Sequence, residues 1–197
     1  MEININQKKI SIGDKYQIFT DGKQTHSAAR QLFRFLPVVN LFANSHGNAR
    51  MTIRKRISFF KAKYDITRWD NRVLEFRTVS FWKRHYKCQI DNDTYDIYGH
   101  RGRKYSIFKN KNQVAWWDKK AVSWFAGDNY KITAEKDSDV EVLISFCLVV
   151  DNFSSDDHDG NAVTFDIGNI GFQAKKFDKN WQPKDIIPFS NSLPGLQ

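Results

Sequence analysis

The sequence predicts a mainly β protein in which a closed antiparallel β-barrel surrounds one hydrophobic α-helix, Ser138 to Asp151. Short runs of alternating polar and apolar residues recur at intervals of roughly 8 to 12 residues, with turn sequences between them, as in sandwiches and barrels. The most continuously apolar segment is residues 138–151, S-D-V-E-V-L-I-S-F-C-L-V-V-D. A helix that is apolar on every face must be enclosed on every side. Closing the sheet around it also removes the exposed edges that many strands create.

The helix is predicted from its start and its length. Ser138 followed by Glu141, ahead of an apolar run, has the pattern of a capping box. From Asp139 the run covers about 13 residues or about 20 Å, which crosses a small domain but falls short of the ~20 apolar residues of a membrane span. Because the run contains several β-branched residues, a buried strand is the alternative.

The first part of the chain has the pattern of a β-meander. The segment Lys9 to Thr20 alternates in two short runs broken at Gly13-Asp14, and Asp21-Gly22 supplies the next turn. Thr25 to Ala43 is interpreted as two strands, since Pro37 forbids a continuous central strand or helix at that point. Two arginines beside the aromatic rings of this segment leave a membrane-inserting segment as the alternative.

An internal echo supports regular strands in the middle of the chain. Tyr64-Asp65-Ile66 with Val73 recurs 41 residues later as Tyr105-Ser106-Ile107 with Val114. Further echoes begin at Tyr86 and at Tyr130. A propeller or solenoid would need several near-identical copies, so a barrel of meandering strands is preferred.

The net charge of +9 is unevenly distributed. Residues 1–151 carry 27 basic and 16 acidic side chains, or +11, which indicates an anionic partner such as a lipid surface, nucleic acid or a phosphate-bearing ligand. Alternation along a strand would place Arg54 and Arg56 on one face. A solvated barrel exterior is the alternative interpretation of these cations. The candidate binding residues are Arg54, Arg56, Lys61, Lys63, Lys83, Arg84 and Lys87.

The sequence contains few signals for catalysis, metals or export. It has no nucleophile elbow, P-loop, zinc-protease or dinucleotide motif, so we expect neither an enzyme nor a cofactor. Cys88 and Cys147 match no metal spacing and are interpreted as buried and reduced. The acidic stretch Ser155 to Asp166 matches a calcium loop poorly and is interpreted as a linker. With no signal peptide or spanning segment, a cytoplasmic protein is expected, peripheral at the inner membrane face if its partner is lipid.

The pattern resembles the tubby C-terminal-like superfamily, in particular its small bacterial LURP-one-related members and, more distantly, the phospholipid scramblases. The segments that carry the resemblance are K-I-S-I-G-D-K-Y-Q-I at 9–18, K-R-I-S-F-F-K-A-K-Y-D-I at 55–66, K-K-A-V-S-W-F-A-G-D-N-Y-K-I at 119–132 and E-V-L-I-S-F-C-L-V-V-D at 141–151. The resemblance covers roughly residues 9–152 and implies a closed barrel of about 12 strands around a central hydrophobic helix. We expect residues 1–152 to form this domain, and residues 153–197, which fall outside the resemblance, to form an acidic linker and extension. It also implies phosphoinositide or membrane binding. This chain lacks the transmembrane segment and the clustered cysteines expected of a scramblase, so lipid translocation is not expected.

The predicted function is therefore a non-catalytic, tubby-like binding module for anionic membrane lipid or a phosphate-bearing ligand. Nucleic-acid binding is the runner-up, because basic strands that carry aromatic residues could stack bases. An enzyme with a site formed only by the fold is the third hypothesis.

Overall fold

A computed structural model describes residues 1–10, 13–31, 36–44, 47–57, 62–120, 129–156 and 173–184. Twelve antiparallel strands form a closed barrel in which each strand pairs with its neighbours in sequence, and β1 pairs with β12 to close it. The predicted 12-stranded barrel is confirmed. The strands are β1 Glu2–Ile10, β2 Gly13–Thr20, β3 Lys23–Arg30, β4 Val38–Ala43, β5 Ala49–Arg56, β6 Lys63–Arg68, β7 Val73–Ser80, β8 His85–Ile90, β9 Asp93–Gly99, β10 Lys104–Lys109, β11 Asn112–Lys120 and β12 Asn129–Ala134.

The alternation of apolar and polar residues decides which face of each strand is inside. In β7, V-L-E-F-R-T-V-S, the side chains of Leu74 and Phe76 are buried, whereas Glu75 and Arg77 between them are exposed. Successive side chains of a strand point to opposite faces, so a period of two puts one set in the lumen and the other in solvent. The same rule buries Met51 and Ile53 of β5 and leaves Arg54 and Arg56 exposed on the other face, as the alternation predicts.

Two-residue turns join several of the hairpins. Asp21 and Gly22 both have positive φ, 46° and 81°, as do Asn110 and Lys111, 48° and 72°. Two consecutive residues with positive φ give a turn whose twist matches that of the flanking strands. Pro37 immediately precedes β4, and its carbonyl accepts a hydrogen bond from the amide of Lys55. The interpretation of the region around Pro37 as two strands is confirmed.

The helix α1, Val140–Asp156, occupies the lumen. Its residues from Val142 to Val149 are buried on every face, each with no more than 1% of its surface exposed. The predicted capping box is wrong in one respect, since Asp139 is the cap. Its carboxylate accepts a hydrogen bond from the amide of Val142 at 3.1 Å, and Glu141 is engaged by arginines instead. Cys88 of β8 and Cys147 of α1 are free and buried, as predicted, and burial raises the pKa of the Cys88 thiol to about 12.

The barrel has two distinct ends, because α1 enters at one and finishes at the other. We call the end that holds the turns after β2, β4, β6, β8 and β10 the entry end, since α1 starts there after β12. The opposite end, which holds the connections after β1, β3, β5, β7, β9 and β11, is the exit end. Near it, the Asp151 carboxylate at the end of the buried part of α1 meets the hydroxyls of Tyr16 and Tyr130.

The internal echo in the sequence corresponds to a layer of tyrosines. The even-numbered strands all start at the exit end, and five of them carry a tyrosine close to their first residue. Four of these tyrosines are buried in the lumen, and the fifth, Tyr105, stacks on the buried Trp117 with ring centroids 4.6 Å apart. The five are Tyr16, Tyr64, Tyr86, Tyr105 and Tyr130. In the sequence, each half of the 41-residue echo is followed by an aromatic cluster, Phe81-Trp82 and then Trp124-Phe125, and the second of these lies outside the described residues.

Residues 173–184 lie against the outside of the barrel. The ring of Phe177 packs between those of His100 and Trp116, with centroid separations of 5.1 and 5.6 Å. The ammonium of Lys175 lies 3.8 Å from the ring centroid of Phe108, whose outer face it covers. The amide of Lys184 donates to a carboxylate oxygen of Glu135. The acidic stretch compared above with a calcium loop falls almost entirely outside the described residues.

Candidate anion-binding surface

Four basic side chains lie in direct register across four neighbouring strands. Arg56 of β5 pairs with Lys63 of β6, which pairs with Arg77 of β7, which pairs with Lys87 of β8. We call these four residues the basic row. Neighbouring strands lie about 4.8 Å apart, so the row extends about 15 Å around the outside of the barrel. Arg56, Lys63 and Arg77 are exposed, Lys87 is partly exposed, and the first three line a cavity of about 60 Å³ together with Glu75.

The electrostatics of the basic row are unfavourable without an additional anion. Like charges directly opposite each other in a sheet are destabilising, and this arrangement places three such pairs side by side. Acidic neighbours compensate the two outer members: Arg56 lies 3.5 Å from Asp65, and Lys87 lies 3.8 Å from Asp96. Within the part of the chain that the structure describes, Lys63 and Arg77 have no ion pair. The middle of the row is therefore the strongest candidate position for an external anion.

The structure brings most of the sequence-predicted basic residues together. Arg56, Lys63 and Lys87 are in the basic row, and Arg54 is exposed on the same outer face of β5, opposite Asp65 of β6. Lys83 is exposed in the turn after β7. Lys61 lies outside the described residues.

Arg84 contacts residues of the barrel itself and is not a member of the basic row. Its guanidinium donates a hydrogen bond to the carbonyl of His100 and lies 5.7 Å above the ring of Tyr105. Arg77, one of the two middle members of the row, was not among the predicted residues. Its alternation with Leu74 and Phe76 was visible in the sequence, but only the register of β6, β7 and β8 shows that it lies between two lysines.

The two ends of the barrel carry opposite charge. In the described connections of the exit end, the charged residues are all basic, namely Lys83, Arg84, Arg101 and Arg103. In the described connections of the entry end, six acidic residues outnumber three basic ones. These are Asp21, Asp70, Asp91, Glu135, Asp137 and Asp139 against Arg72, Lys111 and Lys136. The barrel is therefore polarised along its axis, with the positive end next to the basic row.

Large apolar side chains are exposed at the same positive end. Ile57, directly after Arg56, is 74% exposed. In the turn between β7 and β8, Phe81 is 45% and Trp82 is 71% exposed, and their rings meet edge to face with centroids 6.0 Å apart. Phe81 and Trp82 lie on the β7–β8 hairpin, which also carries Arg77 and Lys87. Cations and exposed apolar groups are thus combined on one part of the molecule.

The charged groups around α1 hold the helix in the barrel. At the entry end, Arg50 Nε lies 2.6 Å from Glu141 Oε1, and Arg68 Nη1 lies 2.6 Å from the Asp139 carboxylate. The His26 imidazole, whose Nε2 is 3.9 Å from Glu141, and the Arg50 guanidinium lower the pKa of Glu141 to about 2. At the exit end, Lys119 Nζ lies 3.1 Å from the buried Asp151 carboxylate.

A depression of about 280 Å³ lies at the entry end beside the start of α1. Its charges pair with one another: Arg72 lies 2.9 Å from Asp91, and Lys109 lies 2.8 Å from Asp93. Since these cations already have carboxylate partners, the depression is a weaker candidate for an anion than the basic row.

The close pair formed by the imidazole of His100 and the hydroxyl of Ser106 is structural in character. His100 Nε2 lies 2.7 Å from Ser106 Oγ, but both residues are almost completely buried. Burial and the nearby Arg84 lower the pKa of His100 to about 4. Among the described residues there is no group of three or more His, Cys, Asp or Glu side chains that could hold a metal ion. The same residues include no helix with the length and apolar character to cross a membrane.

Comparison with known proteins identifies one family. A family model described as LURP-one-related matches residues 1–151, which include all twelve strands and most of α1. Neither the curated proteins nor the solved structures gave a match.

Proposed function

The chain belongs to the LURP-one-related family, and from that premise we propose that it is a non-catalytic, tubby-like binding module for the phosphate-bearing headgroups of an anionic membrane surface. The observation that carries this proposal is the basic row, where Lys63 and Arg77 stand side by side on an exposed sheet face. An anionic surface would relieve the repulsion within the row.

The exposed geometry favours a surface over an enclosed ligand. The row is spread over about 15 Å of barrel wall, and the cavity that it lines holds only about 60 Å³. A membrane presents many headgroups at once, so each cation of the row can contribute. At about 1 kcal/mol per basic residue near an anionic leaflet, four cations give about 4 kcal/mol, which is weak and reversible binding. Such a protein would associate peripherally, and a cytoplasmic location at the inner face of the membrane is part of the same proposal.

Co-sedimentation with vesicles tests the proposal. The protein is mixed with neutral phosphatidylcholine vesicles, or with vesicles that also contain phosphatidylserine. We expect recovery with the acidic vesicles only, and a decrease as salt screens the charges. A further arm adds inorganic phosphate to the acidic vesicles. Loss of binding at a phosphate concentration where chloride of equal ionic strength has no effect would show that the ligand is a free phosphate group.

A pair of charge-matched variants locates the binding surface. Lys63→Glu with Arg77→Glu reverses the middle of the row, and Lys111→Glu with Lys136→Glu makes the same change in net charge at the entry end. Loss of two cations alone should weaken binding by about 2 kcal/mol, or about thirty-fold, and the two added carboxylates should weaken it further, for the first variant only. Equal recovery from neutral and acidic vesicles, or equal losses in both variants, would contradict the proposal.

The same protein is assayed with single- and double-stranded oligonucleotides at low salt. Binding to nucleic acid would show an affinity that falls linearly with the logarithm of the salt concentration. If oligonucleotides bind in this way and acidic vesicles do not, the row is a nucleic-acid surface and the membrane proposal is wrong.

A further inference from the structure

We propose that the barrel meets the membrane with its exit end first, and that Phe81 and Trp82, here called the aromatic tip, insert into the interfacial layer of the bilayer. This proposal rests on the proposed function and adds to it an orientation and a second type of contact. It assigns a role to side chains that the charge argument does not use.

The exposure of the aromatic tip is the first observation. Trp82 is 71% exposed and Phe81 45%, and Ile57 on the neighbouring connection is 74% exposed. Apolar rings of this size are normally removed from water because each can bury 150–250 Å². Tryptophan is enriched at membrane–water interfaces, where its ring lies at the level of the headgroups.

The charge around the tip is the second observation. The described connections of the exit end contain basic residues and no acidic ones, so none of their side chains would repel an anionic leaflet. Lys83 follows Trp82 directly in the chain and is exposed. Apolar side chains flanked by cations are the combination that binds at the surface of anionic membranes. The entry end also exposes an aromatic ring, Trp69, but its connections are predominantly acidic.

The distance between the tip and the basic row fits the dimensions of an interface. Arg77 and Phe81 are four residues apart on one hairpin, or about 13 Å at the usual rise of a strand. A segment that lies in the interface penetrates about 5–10 Å. With the tip at that depth, the row lies next to the headgroup phosphates, where its charge is most effective. Insertion of the tip and attraction of the row therefore reinforce each other.

Tryptophan fluorescence with lipids brominated near the headgroup end of the acyl chains tests the insertion directly, because bromine at that depth quenches only rings that enter the interfacial layer. Trp82→Ser removes the proposed inserting ring, and Trp69→Ser removes a ring of similar exposure, 57%, at the opposite end. We expect quenching of the unmodified protein on acidic brominated vesicles, its loss in Trp82→Ser, and its retention in Trp69→Ser. Thermal unfolding of each variant shows whether it is folded, and Phe81→Ser provides a second change in the tip.

Binding to acidic vesicles provides the second measurement. We expect Trp82→Ser to bind about tenfold more weakly, since the ring leaves water for the interface, and Trp69→Ser to bind unchanged. Quenching that persists in Trp82→Ser, or an equal effect of the two substitutions, would overturn the proposed orientation. If the charge-reversed row loses binding while Trp82→Ser and Phe81→Ser retain both binding and quenching, the proposed function stands and the insertion is wrong. Failure of the unmodified protein to bind acidic vesicles would remove both.

Discussion

Replacement of Phe146 by alanine should destabilise the protein strongly, because this ring lies at the centre of the barrel. Phe146 is fully buried in α1, and its ring centroid lies 5.8 Å from that of Phe76 and 5.4 Å from that of Tyr95. Truncation of a buried phenylalanine to alanine costs about 3–5 kcal/mol, from lost transfer free energy and from the cavity that remains. Since strands on all sides fix the walls, the cavity cannot collapse easily, and we expect a value in the upper half of this range.

The free energy of unfolding is measured by urea denaturation with circular dichroism, using linear extrapolation to water. Phe81→Ala serves as the matched control, because the same substitution at a half-exposed ring should change the free energy by no more than about 0.5 kcal/mol. The two variants should also separate in the vesicle assay, where only Phe81→Ala should weaken binding. A loss below about 1 kcal/mol for Phe146→Ala would show that α1 is not the packed centre of the barrel.

The remaining predictions concern acid stability and the C-terminal segment. Because the pKa of Glu141 is lowered to about 2, its ion pairs should contribute fully above about pH 4.5, and up to about 3 kcal/mol should be lost as the pH falls from 4.5 to 2. The pKa of His100 is lowered to about 4, so the unfolded chain takes up the proton first, and stability should also fall by up to about 3 kcal/mol between about pH 6.5 and 4. Urea denaturation as a function of pH checks both. Glu141→Gln should remove the loss of stability between pH 4.5 and 2 only, and His100→Gln should remove the loss between pH 6.5 and 4 only. Phe177→Ala should cost about 1 kcal/mol, since its ring packs on Trp116 at the barrel surface, and unchanged urea stability would show that residues 173–184 do not contribute to the fold.

The fold could be predicted because local pattern and global architecture agree in this chain. The helix is marked by a continuous apolar run, and the strands are marked by strict alternation between turn pairs such as Asp21-Gly22. The position of the cap was predicted one residue too early, because Ser138 and Asp139 are adjacent residues that can both cap a helix. Which of the two residues caps the helix also depends on Arg50 and Arg68, which lie far away in the sequence. Both form ion pairs with Glu141, so its side chain is not available for a capping box.

The basic row could be predicted only in part, because a row across strands depends on register. Alternation identifies which side chains of one strand share a face, and this suffices for Arg54 and Arg56 on β5. The alignment of Lys63 with Arg77, and of Arg77 with Lys87, also depends on turn lengths and on the irregularity between Thr78 and Ser80 in the β7–β8 pair. Shifting the register of a strand by one residue would move Arg77 to the lumen face.

The helix in the lumen also determines where a ligand can bind. A closed barrel can in principle use its interior, its ends or its outer wall, and small barrels with an empty interior hold a ligand there. Here Leu143, Phe146 and Leu148 fill that space with no more than 1% of their surfaces exposed. The interior is therefore filled by the hydrophobic core, and a ligand could bind only at the outer wall or at the ends of the barrel. Of these surfaces, the wall that carries the basic row and the exit end that carries the aromatic tip adjoin each other through a single hairpin, β7 to β8. A partner that engages both must present negative charge and an apolar layer within about 13 Å of each other, as the headgroups and acyl chains of a bilayer do.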